Sequence, residues 1–215
     1  MSIGSSKLAE VPFPALLDAN VLLPLNTADL LLRLAALDTF QPLWSAGILD
    51  EVQRNLVESI GKTPARAQRR IGQMRAAFPD AMVTGYEPLT RAMTNNEKDR
   101  HVLAAAVRGH AQTIVSDDVV GFPPESRAPY DIETVTADGF LLDQLELYPD
   151  RVMLALDQMV TARRKPPVRL REVLERFDEL APEFATAVRR HTGDSVSITW
   201  LPVQKGALGH LSPDY

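Results

Sequence analysis

Apolar and polar positions alternate along the chain in blocks that predict short buried strands followed by amphipathic helices. The first apolar block, Ala15 to Leu17, ends at Asp18 and predicts a buried strand. The run AQTIVSDD predicts a second strand that ends in two aspartates, and DIETVTADGFLLDQL predicts another strand followed by a helix. AMVTGYEPL fits either a short strand or an exposed loop. Because strands alternate with helices, we predict an α/β fold in three layers, with a central parallel sheet covered on both faces.

Several longer segments have the apolar spacing of helices. Asn26 to Leu37 carries leucines on one side and predicts a helix. A second helix is predicted after Ser45, a suitable N-cap, with Gly61 as its stop. Thr63 to Phe78 is strongly amphipathic, with an apolar face and arginines on the side that we assign as opposite.

Beyond Pro149 the pattern becomes helical throughout. Asp150 to Arg163 and Leu170 to His191 both predict helices, and the basic linker RRKPPVR separates them. The tail after His191 is rich in glycine, proline and serine, with one apolar patch, SITWLPV. We therefore expect a catalytic domain over residues 1–148 and a helical C-terminal extension with its tail over residues 149–215.

The segment NNEKDRHVLAAAVRG joins a charged start to an apolar helix. Asn95 or Asn96 can cap this helix, and Gly109 can end it. Asp99 shares a helix face with Val102 and Leu103, so its carboxylate is half withdrawn from water. Desolvation of a carboxylate costs free energy unless it gains hydrogen bonds, a cation or a metal ion. Taken alone, this stretch favours a capping role for Asp99.

Composition limits the class of protein. The chain has 215 residues, of which 45% are hydrophobic and 24% are charged, as in an ordinary globular protein. The absence of cysteine excludes disulfides and thiolate metal sites and suits a reducing cytoplasm, where we expect the protein to act. The net charge of −5 argues against a protein that coats nucleic acid nonspecifically, although an enzyme with bound metal stays open.

No membrane segment or signal peptide is predicted. Residues 1–11 lack a basic start followed by an apolar run. The apolar stretch 15–37 is interrupted by five polar or charged residues, so we do not expect it to span a membrane. These residues are Asp18, Asn20, Asn26, Asp29 and Arg33.

Acidic residues recur where predicted strands end. Asp18 and Asp118 each follow a strand, and the crevice beyond such ends is the usual ligand site of a parallel sheet. Asp99 lies at the start of the helix before the second strand, and Glu51 is a fourth acid, although Asp50 fits its helix face equally well. Carboxylates gathered in one cleft favour Mg²⁺ or Mn²⁺, which can orient a phosphodiester and activate water. Singly, each acid also fits an ordinary structural role in a turn.

Four motifs in order resemble those of a known family. LLDANVLLP, ILDEVQRNL, EKDRHVLAAAV and IVSDDVVGFP resemble the motifs of the PIN-domain nucleases, most of all the longer VapC-type bacterial ribonuclease toxins. The resemblance covers roughly residues 13–142, and the helical remainder is also similar to the longer members. It implies a PIN-like fold, cleavage of RNA that depends on Mg²⁺ or Mn²⁺, and neutralisation by a cognate antitoxin protein.

The resemblance also implies roles for individual residues. It assigns catalytic and metal-binding positions to four acids, Asp18, Glu51, Asp99 and Asp118, and so favours Glu51 over Asp50. Asn20 and the hydroxyl of Ser116 take supporting positions.

One position departs from the family pattern. Many relatives have an acid just before the Phe-Pro pair, where this chain has Gly121. Asp117 either compensates for the missing acid or faces solvent. Whether the site holds one metal ion or two therefore stays open.

Basic residues offer candidate contacts for RNA or a partner. Arg66, Arg69 and Arg70 form either a solvated helix face, an RNA-backbone contact or a surface for an acidic antitoxin segment. Arg54 and Arg100 lie within a turn of Glu51 and Asp99, so they either contact substrate or pair with the carboxylates. A homodimer is a further expectation, because amphipathic helices outnumber the sheet faces that they must cover.

Three other functions stay open. A phosphatase of the haloacid dehalogenase type also begins with a strand-end aspartate, but its chemistry needs a second acid where this chain has Asn20. A PIN-like nuclease of RNA processing would have no toxic role. A catalytically silent module that binds RNA or protein could keep the acids as scaffold, and Gly121 is consistent with it.

Overall fold

Five short strands form a parallel sheet at the centre of the structure, a computed structural model that describes residues 12–163 and 168–194. The strands are β1 (Pro14–Leu17), β2 (Gln41–Ser45), β3 (Met82–Val83), β4 (Thr113–Val115) and β5 (Glu133–Val135). Their order is β3-β2-β1-β4-β5, and each neighbouring pair is parallel. The predicted parallel sheet is therefore confirmed, together with the three-layer α/β/α class.

Helices supply most of the remaining described structure. They are α1 (Ala19–Leu22), α2 (Leu25–Ala36), α3 (Ala46–Glu58), α4 (Pro64–Ala77), α5 (Glu87–Thr90), α6 (Arg100–Arg108), α7 (Pro124–Arg127), α8 (Ala137–Leu147), α9 (Pro149–Ala162), α10 (Leu170–Leu180) and α11 (Pro182–Asp194). Ser45 caps α3 as predicted, because its hydroxyl accepts from the N–H of Ile48 at 3.2 Å. The prediction of a single helix over Leu170–His191 was wrong, because this segment forms two helices. Helix α10 ends before Pro182, and α11 begins at that proline.

The central strand is buried from Ala15 to its end, which explains its continuous apolar sequence. Ala15, Leu16 and Leu17 of β1 have no exposed surface, and β1 pairs with β2 on one side and β4 on the other. A strand buried on both faces has no need of polar alternation. The carboxyl ends of β1 and β4 consequently open at the same edge of the sheet.

The C-terminal helices pack onto the sheet domain. Phe184 of α11 is fully buried beside Phe177 of α10, with ring centroids 5.6 Å apart. The carboxylate of Asp138 in α8 accepts from the N–H groups of Glu183 at 3.1 Å and Phe184 at 2.8 Å. Helix α9 packs against α2 and α8. The tail patch SITWLPV and linker residues 164–167 lie outside the described residues.

The predicted face of α4 needs one correction. Ala67, Ile71 and Met74 are buried as expected, but Arg70 is also buried, with 4% of its surface exposed. Its guanidinium donates to the carbonyl oxygens of Leu22 and Leu23 at the end of α1. The assignment of Arg70 to an outer face for substrate or partner contact was wrong, because it lies three residues after Ala67 and so shares the apolar face.

In the described ranges, no helix is both long and apolar enough to cross a membrane.

Candidate functional site

Two neighbouring strands end in polar residues that contact one another. Asp18 follows β1, and its N–H donates to the carbonyl of Val115, the last residue of β4, at 3.0 Å. Ser116 comes next along the chain, and its hydroxyl donates to Asp18 Oδ2 at 2.7 Å. Asp18 therefore lies at the strand end where spacing predicted it, and Ser116, which the family resemblance had named, contacts it there.

Asn20 joins the same two strand ends from the first turn of α1. Its side-chain amide donates to Asp18 Oδ2 at 3.0 Å and to Ser116 Oγ at 2.9 Å. Its amide oxygen accepts from the N–H of Asp117 at 3.1 Å, while Ser116 Oγ accepts from the N–H of Asp118 at 3.2 Å. These bonds hold the loop after β4 against the loop after β1.

The carboxylate of Asp18 is buried at this edge. Burial raises the pKa of Asp18, and hydrogen bonds from the Ser116 hydroxyl and the Ala19 N–H oppose that rise. The negative charge of Glu51 also raises this pKa, whereas His101 lowers it. Asp18 therefore lies within electrostatic reach of residues from α3 and α6.

Asp99 is the most perturbed acid of the site. A 3₁₀ turn spans Glu97–Asp99, α6 begins at Arg100, and the Asp99 side chain makes no capping bond. The side chain is only 14% exposed, and its buried Oδ2 atom has no hydrogen-bond partner among the residues that the structure describes. Burial raises the pKa of Asp99 to about 6; Lys98 lowers it, and the other three acids raise it. These three are Asp18, Asp118 and Glu51.

The expected helix cap before Asp99 was wrong. Asn96 makes no side-chain capping bond, and Asn95 donates its side-chain amide to the carbonyl of Gly121 at 3.2 Å instead. The side chain of Asn95 thus connects the segment before α6 to the loop after β4. The capping role considered for Asp99 was also wrong, since its side chain caps nothing.

Asp118 is held by two donors. Its Oδ1 atom accepts from the N–H of Gly121 at 3.2 Å, and its Oδ2 atom accepts from the Lys98 ammonium at 2.8 Å. The hydrogen bond from Lys98 lowers the pKa of Asp118 below its usual range. The same ammonium lies 3.8 Å from Asp99 Oδ2.

Lys98 is a site residue that sequence reasoning missed. Its side chain is 65% exposed, yet it lies between two of the acids. Its place in EKDR, next to Asp99, was the only available signal. The hydrogen bond to Asp118 joins residues 20 positions apart, which local spacing does not reveal.

Glu51 approaches the other acids from α3. Its Oε2 atom lies 3.9 Å from His101 Nε2, and its charge acts on both Asp18 and Asp99. Asp50, which spacing could not separate from it, is exposed. His101 Nδ1 is buried, and no described residue forms a hydrogen bond with it.

Four carboxylates, hereafter the acid cluster, come from four segments of the chain, and three of them raise the pKa of the fourth, Asp99. They are Asp18, Glu51, Asp99 and Asp118. Within the described residues, no three His, Asp or Glu side chains lie close enough to hold one ion in common. The donor chemistry nevertheless fits a hard divalent cation, because the donors are carboxylate oxygens and Asp99 Oδ2 has no partner.

The remaining candidate residues lie outside the acid cluster. The carboxylate of Asp117 accepts from the N–H of Ala137 at the start of α8, at 2.9 Å. Arg100 donates to the carbonyl of Asn95 at 3.3 Å, and Arg54 is exposed. In the described part of the chain, neither arginine lies within ion-pair distance of the acid cluster. Lys98 does lie within that distance, of Asp99 and Asp118. Contacts of these arginines with substrate stay predictions, as do those of the exposed Arg66 and Arg69.

Comparison with known proteins identifies both parts of the chain. The family model described as PIN domain matches residues 14–120, and that described as VapC50 C-terminal domain matches residues 137–190. A candidate ribonuclease of Mycobacterium tuberculosis, VapC50, is 43% identical over 110 residues. That match covers 51% of this chain and 65% of the relative's length. No solved structure matches the chain. The chain therefore contains a PIN domain, followed by a region that matches the VapC50 C-terminal domain.

Proposed function

We propose that this protein is a metal-dependent endoribonuclease and the toxin of a toxin–antitoxin pair. The PIN domain of this chain and the name of its Mycobacterium tuberculosis relative, a candidate ribonuclease, both support this proposal. One observation carries it: Asp99 is half-buried among the charges of three further acids, and its buried Oδ2 atom has no hydrogen-bond partner among the described residues. Carboxylates crowded in this way either take up a proton or bind a cation, and we infer that a cation binds here.

Mg²⁺ or Mn²⁺ fits these donors. Asp18 and Asp99 would hold the ion, and Glu51 and Asp118 would complete the site directly or through water. When bound, the ion would polarise the scissile phosphate and lower the pKa of an attacking water molecule. The chain therefore needs no histidine or serine nucleophile for this chemistry.

The protein's own residues orient the acids. Ser116 and Asn20 donate to the same oxygen of Asp18, which fixes the plane of its carboxylate. Lys98 holds Asp118 and stands at the exposed side of the acid cluster. From there its ammonium can pair with a phosphate of the RNA backbone once it leaves Asp118.

We assign three partners to this activity. RNA is the substrate, and Arg54 and Arg100 are candidate contacts to its backbone near the acid cluster. A cognate antitoxin would cover the site, with exposed Arg66 and Arg69 of α4 as a contact for an acidic segment. A second copy of the chain is the third partner, and the complex would act in the cytoplasm.

An RNA-cleavage assay tests the proposal. We expect purified wild type to cut RNA internally with Mg²⁺ or Mn²⁺ and to lose this activity in EDTA. Asp99→Asn should be inactive, whereas Asp157→Asn, the same change on the exposed side of α9, should cut normally. Full activity of Asp99→Asn on a cleavable RNA would overturn the assignment. A parallel arm with a phosphomonoester separates this activity from that of a phosphatase.

Expression in bacteria tests the toxin role. We expect wild type to arrest growth and to create new RNA ends, and Asp99→Asn to do neither. Metal-dependent cleavage in vitro without growth arrest would instead indicate a nuclease of RNA processing.

A second candidate function is a catalytically silent binding module. One observation favours it: Lys98 already pairs with Asp118 and lies near Asp99, so the chain partly neutralises its own acids. Cleavage that depends on added metal would exclude this alternative.

A further inference from the structure

Gly121 packs directly against the acid cluster. A methyl group at this position would lie 2.6 Å from Asp99 Oδ2, 3.3 Å from Asp99 Cγ and 3.6 Å from Asp118 Cγ. Carbon and oxygen atoms do not approach within 2.6 Å without a bond, so any side chain here displaces a neighbour. The hydrogen atom of glycine leaves that space to the Asp99 carboxylate.

Space, rather than backbone conformation, requires this glycine. Among the described glycines, only Gly61 and Gly85 have the positive φ that other residues avoid. Gly121 has an ordinary φ and lies in a 3₁₀ turn that other residues can adopt. Glycine is therefore needed at this position because a side chain would collide with the neighbouring Asp99 carboxylate.

The backbone of Gly121 also joins the two segments that carry Asp99 and Asp118. Its N–H donates to Asp118 Oδ1 at 3.2 Å and lies 3.1 Å from the Asp118 carbonyl oxygen. Its carbonyl accepts from the Asn95 side chain at 3.2 Å and from the Asn96 N–H at 3.3 Å. Gly121 and Asn95 are both buried, so this junction has little room to relax.

We propose that Gly121 is a positioning residue for Asp99 and Asp118. This inference rests on the proposed function, because it concerns how the acid cluster receives a divalent cation. A side chain at position 121 turns the Asp99 carboxylate away from Asp118, and an acid there displaces Asp99 instead of adding a ligand. The departure from the family pattern at this position is thus part of how this chain arranges its acids.

The close contact made by a side chain at position 121 is relieved mainly by movement of the Asp99 carboxylate, which belongs to the acid cluster. The atom nearest to the added methyl group is the end of the Asp99 side chain, which can rotate, whereas the backbone of the turn is fixed by four hydrogen bonds. We therefore expect substitution to change cation affinity more than it changes stability. A residue with a purely structural role would show the opposite.

The test compares Gly121→Ala and Gly121→Asp with Gly72→Ala. Gly72 lies on α4 with open space around its Cα, so the same substitution should leave the site unchanged. Mn²⁺ affinity is measured by titration calorimetry, thermal stability by circular dichroism, and the Asp99 carboxylate by crystal structures of the metal-free variants. Both Gly121 variants should bind Mn²⁺ about tenfold or more weakly, with Asp99 displaced and a cooperative melt retained.

Three other outcomes would count against the inference or against the proposed function. Unchanged Mn²⁺ affinity with a lowered melting temperature would reduce Gly121 to a packing residue and overturn the inference. Tighter Mn²⁺ binding by Gly121→Asp, with Asp99 in place, would overturn it as well. If wild type binds no Mn²⁺, the proposed function fails, and the position of Asp99 in the Gly121→Ala crystal structure still decides whether Gly121 positions it.

Discussion

Two regions of this protein concentrate charge, and they treat it in opposite ways. The first, hereafter the core ion cluster, joins α2 to α9 and comprises Asn26, Asp29, Arg33, Gln158 and Arg163. Arg33 Nε donates to Asp29 Oδ1 at 2.9 Å with both side chains buried, and its Nη1 atom reaches Gln158 Oε1 at 3.4 Å. Arg163 donates to Asn26 Oδ1 at 2.6 Å.

The acid cluster has no comparable balance. Burial raises the pKa of Asp29, but three arginines act against that rise, whereas the half-buried Asp99 faces three carboxylates and one exposed lysine. The chain supplies its own counter-charges in the core and leaves most of them out at the sheet edge. We therefore propose that paired charge in this protein supports the fold and that the unpaired charge at the sheet edge binds a ligand.

Removal of one partner from the core ion cluster should have the largest effect. Arg33→Met leaves Asp29 buried without its ion pair, so we expect a loss of about 3–5 kcal/mol in the free energy of unfolding. Urea denaturation at neutral pH measures it. The double variant Asp29→Leu with Arg33→Met removes both charges and should recover most of the loss. Equal stability of Arg33→Met and wild type would show that the pairing contributes nothing.

Ser116→Ala should break the polar edge of the sheet without removing a charge. The hydroxyl donates to Asp18 and accepts from Asn20 and the Asp118 N–H, so its loss removes three hydrogen bonds. Because Asp18 is a buried carboxylate, we expect the free energy of unfolding in urea to fall by about 1.5–3 kcal/mol. Ser126→Ala is the matched control, since it removes a buried hydroxyl with a single carbonyl partner and should cost less. Equal losses in the two variants would show that the bonds to Ser116 have no special weight.

The pH dependence of stability should distinguish Asp99 from paired acids. The pKa of Asp99 is about 6 in the folded chain, against an ordinary value of 3.8. Between these two pH values, Asp99 keeps its proton in the folded chain and has released it in the unfolded chain. Its contribution to stability is present below pH 3.8 and is lost as pH rises through 6. Relative to Asp99→Asn, wild type should therefore lose about 1–3 kcal/mol between pH 4 and 7 in EDTA. Urea denaturation across this range would contradict the account if the two proteins changed in parallel.

Lys98→Met should give the smallest effect. Unlike loss of an acid, it should strengthen the binding of a metal ion. Without the ammonium, Mn²⁺ no longer competes with an internal cation, so we expect affinity to rise by about two- to fivefold. Titration calorimetry at low salt measures it. Lys62→Met, the same change at a lysine without an ion pair in the described structure, is the matched control. Weaker Mn²⁺ binding by Lys98→Met would show that Lys98 supports the ion instead.

Much of the fold follows from local pattern, and the exceptions have physical causes. β1 was predictable because a strand buried on both faces is continuously apolar. β2 was not separated from α3, since its last residue, Ser45, is also the helix cap. β3 has only two residues, too few for a pattern. Arg70 shares the apolar face of α4 by spacing, but the carbonyl groups that accept from its guanidinium belong to another helix and are not visible in local pattern.

The candidate site was predictable to the extent that strand ends determine it. Asp18 and Ser116 meet because parallel strands β1 and β4 are neighbours. Glu51 needed the family resemblance, since spacing could not separate it from Asp50. Lys98 and the close contact at Gly121 were beyond local pattern, because both depend on segments about 20 residues apart.

Binding of Mn²⁺ tests the central difference between the two clusters most directly. Titration calorimetry at pH 7.5 would compare wild type with Asp99→Asn and with Asp29→Asn, which remove one carboxylate from the acid cluster and from the core ion cluster. We predict that wild type and Asp29→Asn bind Mn²⁺ alike and that Asp99→Asn binds it far more weakly. Equal binding by wild type and Asp99→Asn, or no binding by wild type, would contradict the account.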